Sequence, residues 1–447
     1  MMDLRAELHR LRLENQRLHA ELEDVRDPTA LLARALRRTS ARLWAHVRRP
    51  SSAPASRPSP VGRDFHPEYR PYAVEGASPT PGGRPRILHA IANFHLGGSS
   101  RLVVDLVERL GHRYAHEVVS RDLPERSAYT GITVHHRPQL RTVAEALELL
   151  DALRPDLVHV HFLGHHRTAY SARDWSWYHR IFQAAERRGC AVLENVNIPV
   201  PPYFSHAVHR YVYVSDSVRR CFGTLSDDEV VIYPGSDLAR FSRAGAPVPD
   251  DTAGMVYRLE GDKLTADAID VFVALVRHRP ATRVLVVGGG SLLEAYRGAV
   301  EKAGIADACT FTGYVSYERL PDYYRRMSVF VAPVHRESFG QVSVFAMAMA
   351  IPVVGYDVGA LAEIVGDPEL LAPAGDAERL ADIIASLLDD RERRQRIGAA
   401  NRRRAEERFS VHAMIESFAG LYAAAVPSGL LHDDAGVSTV GPMPGGR

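Results

Sequence analysis

Residues 337–354 constrain the fold of this chain more than any other stretch: Glu-Ser-Phe-Gly-Gln-Val-Ser-Val-Phe-Ala-Met-Ala-Met-Ala-Ile-Pro-Val-Val. The apolar run 329–332 before it reads as a buried strand, the Phe339-Gly340 turn starts a helix of small residues, and Pro352-Val353-Val354 opens another strand. This is a βαβ element. Its loop can hold an anion against the helix N-terminus, where backbone N–H groups and the helix dipole both attract negative charge. Glu337 then falls at the carboxyl end of a parallel strand, where open α/β sheets place their ligands. Taken alone, Glu337 is also readable as a carboxylate that only complements the helix dipole.

The same β-then-α alternation runs through the chain. Residues 86–92 read as a strand, 93–100 as a loop carrying Gly97 and Gly98, and 101–110 as a helix, the first unit of a doubly wound sheet. A glycine pair can be demanded by turn geometry alone, so its weight comes from its place after the first strand. Further units follow at 157–161, 191–197 and 211–220, and 231–241 closes this half, with 246–250 as a linker. A second half opens at 254–263 and continues with a helix over 266–278 and a strand over 282–287 that ends in Gly288, Gly289 and Gly290. A short strand and turn at 311–315 and a helix over 317–327 lead to the strand before Glu337, and a helical region covers 377–425.

Composition excludes several classes. The 447 residues are 46% hydrophobic, enough for two or three domains with full cores, and the formal charge of +1 argues against a nucleic-acid partner. Basic residues crowd locally near the N-terminus and at Arg402, Arg403 and Arg404. Cys190, Cys221 and Cys309 lack metal-ligand spacing and cannot all pair, which points to core thiols in a reducing, cytoplasmic setting. No apolar run reaches the ~20 residues of a spanning helix, and the charged start of the chain has no signal-peptide core.

Leu4, Leu8, Leu11, Asn15, Leu18, Leu22 and Val25 recur at heptad spacing, so residues 1–27 are expected to form a short coiled coil that makes a homodimer through 4–25. Asn15 in the stripe favours a parallel two-stranded register. The alternative is a lone amphipathic helix packed on the protein's own body. Residues 28–49 form a basic amphipathic pattern that suits anionic lipid at the inner face of a membrane, or equally a helix that continues the dimer or packs on the protein's own body. Residues 50–85, rich in Pro, Ser and Gly, read as a linker of variable orientation, and 427–447 as a mobile tail.

The 337–354 segment resembles the family 4 retaining glycosyltransferases, whose signature sets two glutamates with seven residues between them, here positions 337 and 345. Glu337, Phe339, Gly340, the Ala346-Met347-Ala348 run and Pro352-Val353-Val354 match; the second glutamate is Phe345 and an expected glycine is Ala350. The resemblance covers roughly residues 86–426. It implies an α/β fold of GT-B type: two Rossmann-like domains facing a cleft, an acceptor domain at 86–241 and a nucleotide-sugar domain at 242–426, with a terminal helix crossing back to the first. It implies that Glu337 orients the transferred sugar and that Phe345 removes a ribose acceptor. It also implies that Arg258 and Lys263 hold the donor phosphates, although an Arg and a Lys at that spacing are by themselves ordinary surface charges.

The remaining site residues follow from the same resemblance. Gly97 and Gly98 approach the donor diphosphate, with Phe339, Gly340 and Gln341 at the loop and helix start. Gly359 and Glu363 lie near the nucleotide, where a helix-start glycine and an exposed acid are the plain reading. His161 contacts the donor sugar. His165 and His166, with Asn195 and Asn197, fall where the hydroxyl acceptor is expected, though the asparagines could equally cap backbone near Pro199. No Asp-x-Asp pattern and no carboxylate or cysteine at ligand spacing from the histidines is present, so no metal and no cofactor are expected beyond the nucleotide-sugar substrate. Two rivals stand beside the transferase: a catalytically silent GT-B scaffold that dimerises through its coiled coil, and a non-transferase GT-B enzyme such as a sugar-nucleotide epimerase.

Overall fold

The computed structural model describes residues 73–74 and 83–426, apart from 95–97, 124–130, 163–171, 224–226, 244 and 246–248. The expected coiled coil at 1–27, the basic helix at 28–49 and the tail at 427–447 lie outside the described residues, as do Gly97, His165 and His166.

Two parallel sheets organise the rest. The first contains β1 (Ala73–Val74), β2 (Arg86–Asn93), β3 (Ala115–Asp122), β4 (Thr133–His136), β5 (Leu157–Phe162), β6 (Ala191–Val196), β7 (Val208–Tyr213) and β8 (Glu229–Val231). Their spatial order is β1-β4-β3-β2-β5-β6-β7-β8, and all the pairings are parallel. Helices α1 (Gly98–Leu110), α2 (Val143–Leu153), α3 (Ala172–Arg188) and α4 (Asp216–Phe222) make the crossovers. Residues 73–74 correct one expectation, because this piece of the linker pairs in register with Thr133 and Val134 as an edge strand.

The second sheet contains β9 (Thr252–Val256), β10 (Arg283–Val287), β11 (Cys309–Phe311), β12 (Val329–Ala332), β13 (Val353–Tyr356) and β14 (Leu371–Ala372), ordered β11-β10-β9-β12-β13-β14. Helices α5 (Asp270–His278), α6 (Leu293–Lys302), α7 (Leu320–Tyr324), α8 (Gln341–Ala348) and α9 (Leu361–Val365) accompany it. Every residue of β12 and β13 is buried, as expected where helices cover both faces of a parallel sheet and strands read as unbroken apolar runs. From β2 onward the strand order of the first sheet reverses between β2 and β5, and that of the second between β9 and β12. Such switch points open a crevice at the carboxyl ends of the strands.

The terminal helical region divides into α10 (Ala377–Asp389), α11 (Arg391–Arg408) and α12 (Val411–Ala425). Asp390 breaks the first pair and caps α11 by accepting the Arg393 N–H at 2.8 Å; Ser410 caps α12. Between them the chain crosses back: Ser236 N–H donates to Phe409 O at 2.9 Å and Val411 N–H to Ser236 O at 3.0 Å. Helix α12 then lays Met414, Ile415, Phe418 and Tyr422 against Ile87, Leu102 and Leu106 of the first unit.

Two sequence details gain physical meaning. Ala350, where the signature carries glycine, sits at φ 56, in the left-handed region that a Cβ disfavours. Two of the three arginines at 402–404 turn inward while Arg403 is exposed: Arg402 donates to the carbonyls of Phe241 and Ala348, and Arg404 to those of Glu363 and Ile364. The expectation of three core thiols needs one correction, since Cys221 is exposed while Cys190 is buried.

Candidate functional site

The switch point of the second sheet brings together two residues far apart in sequence. Lys263 follows β9 and Glu337 follows β12, and Lys263 Nζ donates to Glu337 Oε1 at 2.5 Å. The Glu337 side chain is 1% exposed and that of Lys263 38%, so a buried acid is paired with a cation that still reaches solvent. Oε1 also accepts the N–H groups of Ser338 at 3.1 Å and Phe339 at 3.4 Å. Oε2 is buried with no partner. A buried carboxylate oxygen left open carries a cost of about 1–3 kcal/mol, and such orphan groups in native folds mark strain, a catalytic role, or a site for water or ion.

Glycines shape this site by close backbone approach. A Cβ on Gly359, which has φ 54, would fall 2.0 Å from Glu337 O, and the neighbouring Ala360 N–H bonds that carbonyl at 2.9 Å. Gly359 thus fixes the Glu337 backbone. Gly340, at φ 98, turns the chain into α8, whose first turn has no side-chain cap. A Cβ on Gly288 or Gly290 would meet the carbonyls of Tyr257 and Leu259 at 1.9 and 2.4 Å, so the glycine triplet after β10 clamps the loop that carries Lys263. The sequence shows that triplet plainly but gives no hint of what it presses upon.

The two units meet at helix starts. Gln341, first residue of α8, donates through Nε2 to Gly235 O at 3.3 Å, and its Oε1 lies 3.9 Å from where a Gly98 Cβ would be. The N-termini of α1 and α8 therefore face one another across the crevice. Glu363 forms a second bridge: its carboxylate accepts the N–H groups of Asp216 and Ser217 at 3.0 and 2.9 Å, at the start of α4, and the Tyr233 hydroxyl at 3.0 Å. Burial and this carboxylate push the Tyr233 hydroxyl up to about 12. Glu363 is thus not the exposed acid of the plain reading; its oxygens are already engaged between the units.

Other expected residues fall differently. Arg258 is 55% exposed and paired with Asp262 at 2.7 Å, on the Lys263 loop but outside the Lys263–Glu337 pair. The Phe339 ring is buried against Tyr233 and Phe409, with centroids 5.9 and 5.7 Å away, so its side chain is not available to a donor and only its backbone N–H faces the acid. Phe345 stacks on Phe241 at 4.0 Å with an interplanar angle of 1°, flanked by Tyr317 and Tyr324. An aromatic contact fills the place of the signature's second acid.

In the first unit, His161 near the end of β5 is register partner to Asn195 of β6. Both are fully or nearly buried, and His161 Nδ1 and Asn195 Oδ1 have no partner. Asn195 Nδ2 donates to Asn197 Oδ1 at 2.7 Å, so the two asparagines hold each other at the strand end. Burial pushes His161 down to about 3, which keeps it neutral. The sequence did not reveal that His89, His116 and His159 stand beside it, because three separate strands supply the four rings. Among the described residues, no helix is long and apolar enough to cross a membrane.

Residues 240–404 match the family described as Glycosyl transferases group 1, a span that holds Arg258, Lys263, Glu337, Phe345, Gly359 and Glu363. The lipopolysaccharide core biosynthesis mannosyltransferase LpsB of Rhizobium meliloti is 33% identical over 178 residues, 38% of this chain and 50% of that protein. The 2-deoxystreptamine N-acetyl-D-glucosaminyltransferase of Streptomyces fradiae is 34% identical over 164 residues, 35% of this chain and 38% of that protein. The chain thus spans half or less of the length of these two relatives. Among solved structures, HepE of Anabaena in complex with UDP and glucose superposes with a TM-score of 0.62 at 16% identity, over 76% of this chain and 99% of that one. That likeness concerns the fold, and the two-domain GT-B arrangement of parallel sheets holds.

Proposed function

We propose, from the glycosyl transferases group 1 match at residues 240–404, that the chain is a retaining glycosyltransferase moving a sugar from a nucleotide-sugar donor to a hydroxyl acceptor. One observation carries this reading: at the switch point a buried carboxylate is held by Lys263 on one oxygen and left open on the other, beside an uncapped helix start. Two relatives named as sugar transferases support it.

The chemistry follows from the charges. As the bond from the sugar's anomeric carbon to the donor phosphate breaks, negative charge builds on the diphosphate. Lys263 and the first amides of α8 stabilise it, with Arg258 reaching in from the same loop. Glu337 Oε2 accepts a hydrogen bond from a sugar hydroxyl and shields the positive charge on the ring; it is an orienting group, not a nucleophile. The acceptor oxygen then bonds the anomeric carbon from the face the phosphate leaves. Its proton passes to the departing phosphate oxygen, so a nucleoside diphosphate is released and the anomeric configuration is kept. Fixed cations and helix amides do the work that a metal does elsewhere, and the transfer step is metal-independent. His161 contacts the donor sugar, while Gly97, Gly98, His165, His166, Asn195 and Asn197 border the donor and acceptor on the first unit. Residues 4–25 make a homodimer, and residues 28–49 bring a cytoplasmic protein to an anionic membrane surface.

The test is a thermal-shift screen of purified protein against a panel of sugar nucleotides, because a ligand that binds only the folded state raises its melting point. A shift of several degrees with one donor, abolished in Lys263→Ala, is expected, followed by NMR assignment of the product anomer with a panel of acceptors. A silent scaffold is the second reading, favoured by the Phe345–Phe241 stack in place of a ribose acceptor. No shift with any donor would sustain it, and an inverted product would defeat the retaining assignment.

A further inference from the structure

The start of α4, in the first unit, is capped by a residue of the second. A helix leaves its first N–H groups without intrahelical partners, and here Ser215 meets the need of one, its hydroxyl accepting the Val218 N–H at 3.1 Å. The Asp216 and Ser217 N–H groups go instead to Glu363, one to each carboxylate oxygen, at 3.0 and 2.9 Å. Hydrogen bonds to an ionised acceptor are roughly twice as strong as neutral ones, and the helix dipole adds to them.

Glu363 also stands on the helix that holds the candidate active acid. Helix α9 begins at Leu361, directly after Ala360, whose N–H bonds Glu337 O at 2.9 Å. Leu361 is buried under the same turn, its Cδ2 3.6 Å from where a Gly340 Cβ would be. Arg404 of α11 donates to Glu363 O at 2.7 Å and to Ile364 O at 2.9 Å, which fixes the other end of this short helix. Tyr233, on the chain that leaves the first sheet, donates its hydroxyl to Glu363 Oε2 at 3.0 Å. Held at its start, its end and its side chain, α9 cannot shift without moving Glu337 or α4.

We propose that Glu363 is a positioning residue: it clasps the first unit to the second and, through α9, sets where the Glu337 backbone stands relative to the first unit. The effect on turnover rests on the transferase reading; the clasp itself does not. A glutamate beside the nucleotide, as the resemblance has it, would touch the donor directly, whereas the clasp acts through the geometry between the units.

Hydrogen–deuterium exchange on the full chain, with no donor present, reads the clasp. First-turn amides exchange fast unless a partner outside the helix holds them. Glu363→Ala should speed exchange roughly tenfold or more at 216–217, and also at 338–341 on the far side of α9, with Glu363→Gln, which keeps one acceptor oxygen, falling between. Asp216→Pro makes the same break from the first unit, because proline suits the first helical position after the extended Ser215 and removes one of the two N–H groups. Asp216→Ala keeps that N–H and should leave both segments protected. In turnover, Glu363→Ala and Asp216→Pro should each lower kcat roughly tenfold and together little further, while Asp216→Ala stays near wild type. The donor-induced rise in melting point should survive in each, because Lys263 and α8 belong to the second unit. Unchanged exchange at 338–341 in both Glu363→Ala and Asp216→Pro overturns the proposal. So does a Glu363→Ala protein that loses the donor-induced rise while 216–217 stay protected, since Glu363 is then a donor contact. Wild-type protein that answers to no donor defeats the transferase reading and leaves the clasp to be decided by exchange; an Asp216→Pro protein that does not fold leaves it to Glu363→Ala and Glu363→Gln.

Discussion

The second sheet buries apolar side chains along β12 and β13 and keeps its charges at strand ends, where Lys263 and Glu337 meet. The first sheet takes polarity into its interior: His89, His159 and Glu194 are all buried on strands. Yet both are parallel sheets with a switch point in strand order, at β2/β5 and at β9/β12. The contrast separates two uses of a polar residue. At a strand end it faces a ligand and is tested by activity; within a strand it is a matter of stability, and its partners come from elsewhere in the chain.

The largest effect should come from the strand-end pair. Glu337→Gln and Lys263→Ala are expected to lower turnover about 10²–10³-fold with the fold intact by circular dichroism, the scale seen when one stabilising group is removed from an active site. Next is the aromatic stack beside it. Phe345→Ala should cost about 3–5 kcal/mol in urea unfolding, and Phe345→Glu at least as much, because the signature's acid would be buried against Phe241. A Phe345→Glu protein that gained both stability and donor binding would erase the distinction between packing and chemistry at this position.

Glu194 sharpens the other side of the comparison. Burial pushes its carboxyl well above the usual 4.5, with the Tyr203 N–H at 2.8 Å pulling the other way. The folded state therefore binds its proton more tightly than the unfolded chain does. Its contribution to stability is fully present below about 4.5 and is lost as pH rises through the folded value. Glu194→Gln does not titrate, so melting curves should match wild type near that pH and show the variant increasingly the more stable toward neutrality. The smallest effect is at Ala350, where Ala350→Gly relieves the φ of 56 and should raise stability by about 1 kcal/mol in denaturant titrations.

How much of this was legible follows from range. The βαβ element at 329–356 announced itself because its strand, turn and helix signals are contiguous, and Glu337, Gly340 and Gln341 could be placed at once. Lys263 was reachable only through resemblance, since nothing local distinguishes it from a surface lysine. Strands β3 and β4 gave no apolar run to read, with His116, Glu117, His135 and His136 along them. The bridge from Glu363 to α4, the glycine triplet against 257–259 and the histidine cluster all depend on contacts between distant segments. A period of two or of 3.6 does not record such contacts.

One consequence of the crossover concerns synthesis. The apolar face formed by Ile87, Leu102 and Leu106 is completed by Met414, Ile415, Phe418 and Tyr422, some of the last described residues to leave the ribosome. For most of translation the first unit waits with an oily flank uncovered, while the later unit already has everything its own centre requires. Such exposure invites aggregation, so the nascent chain should lean on chaperones until α12 arrives.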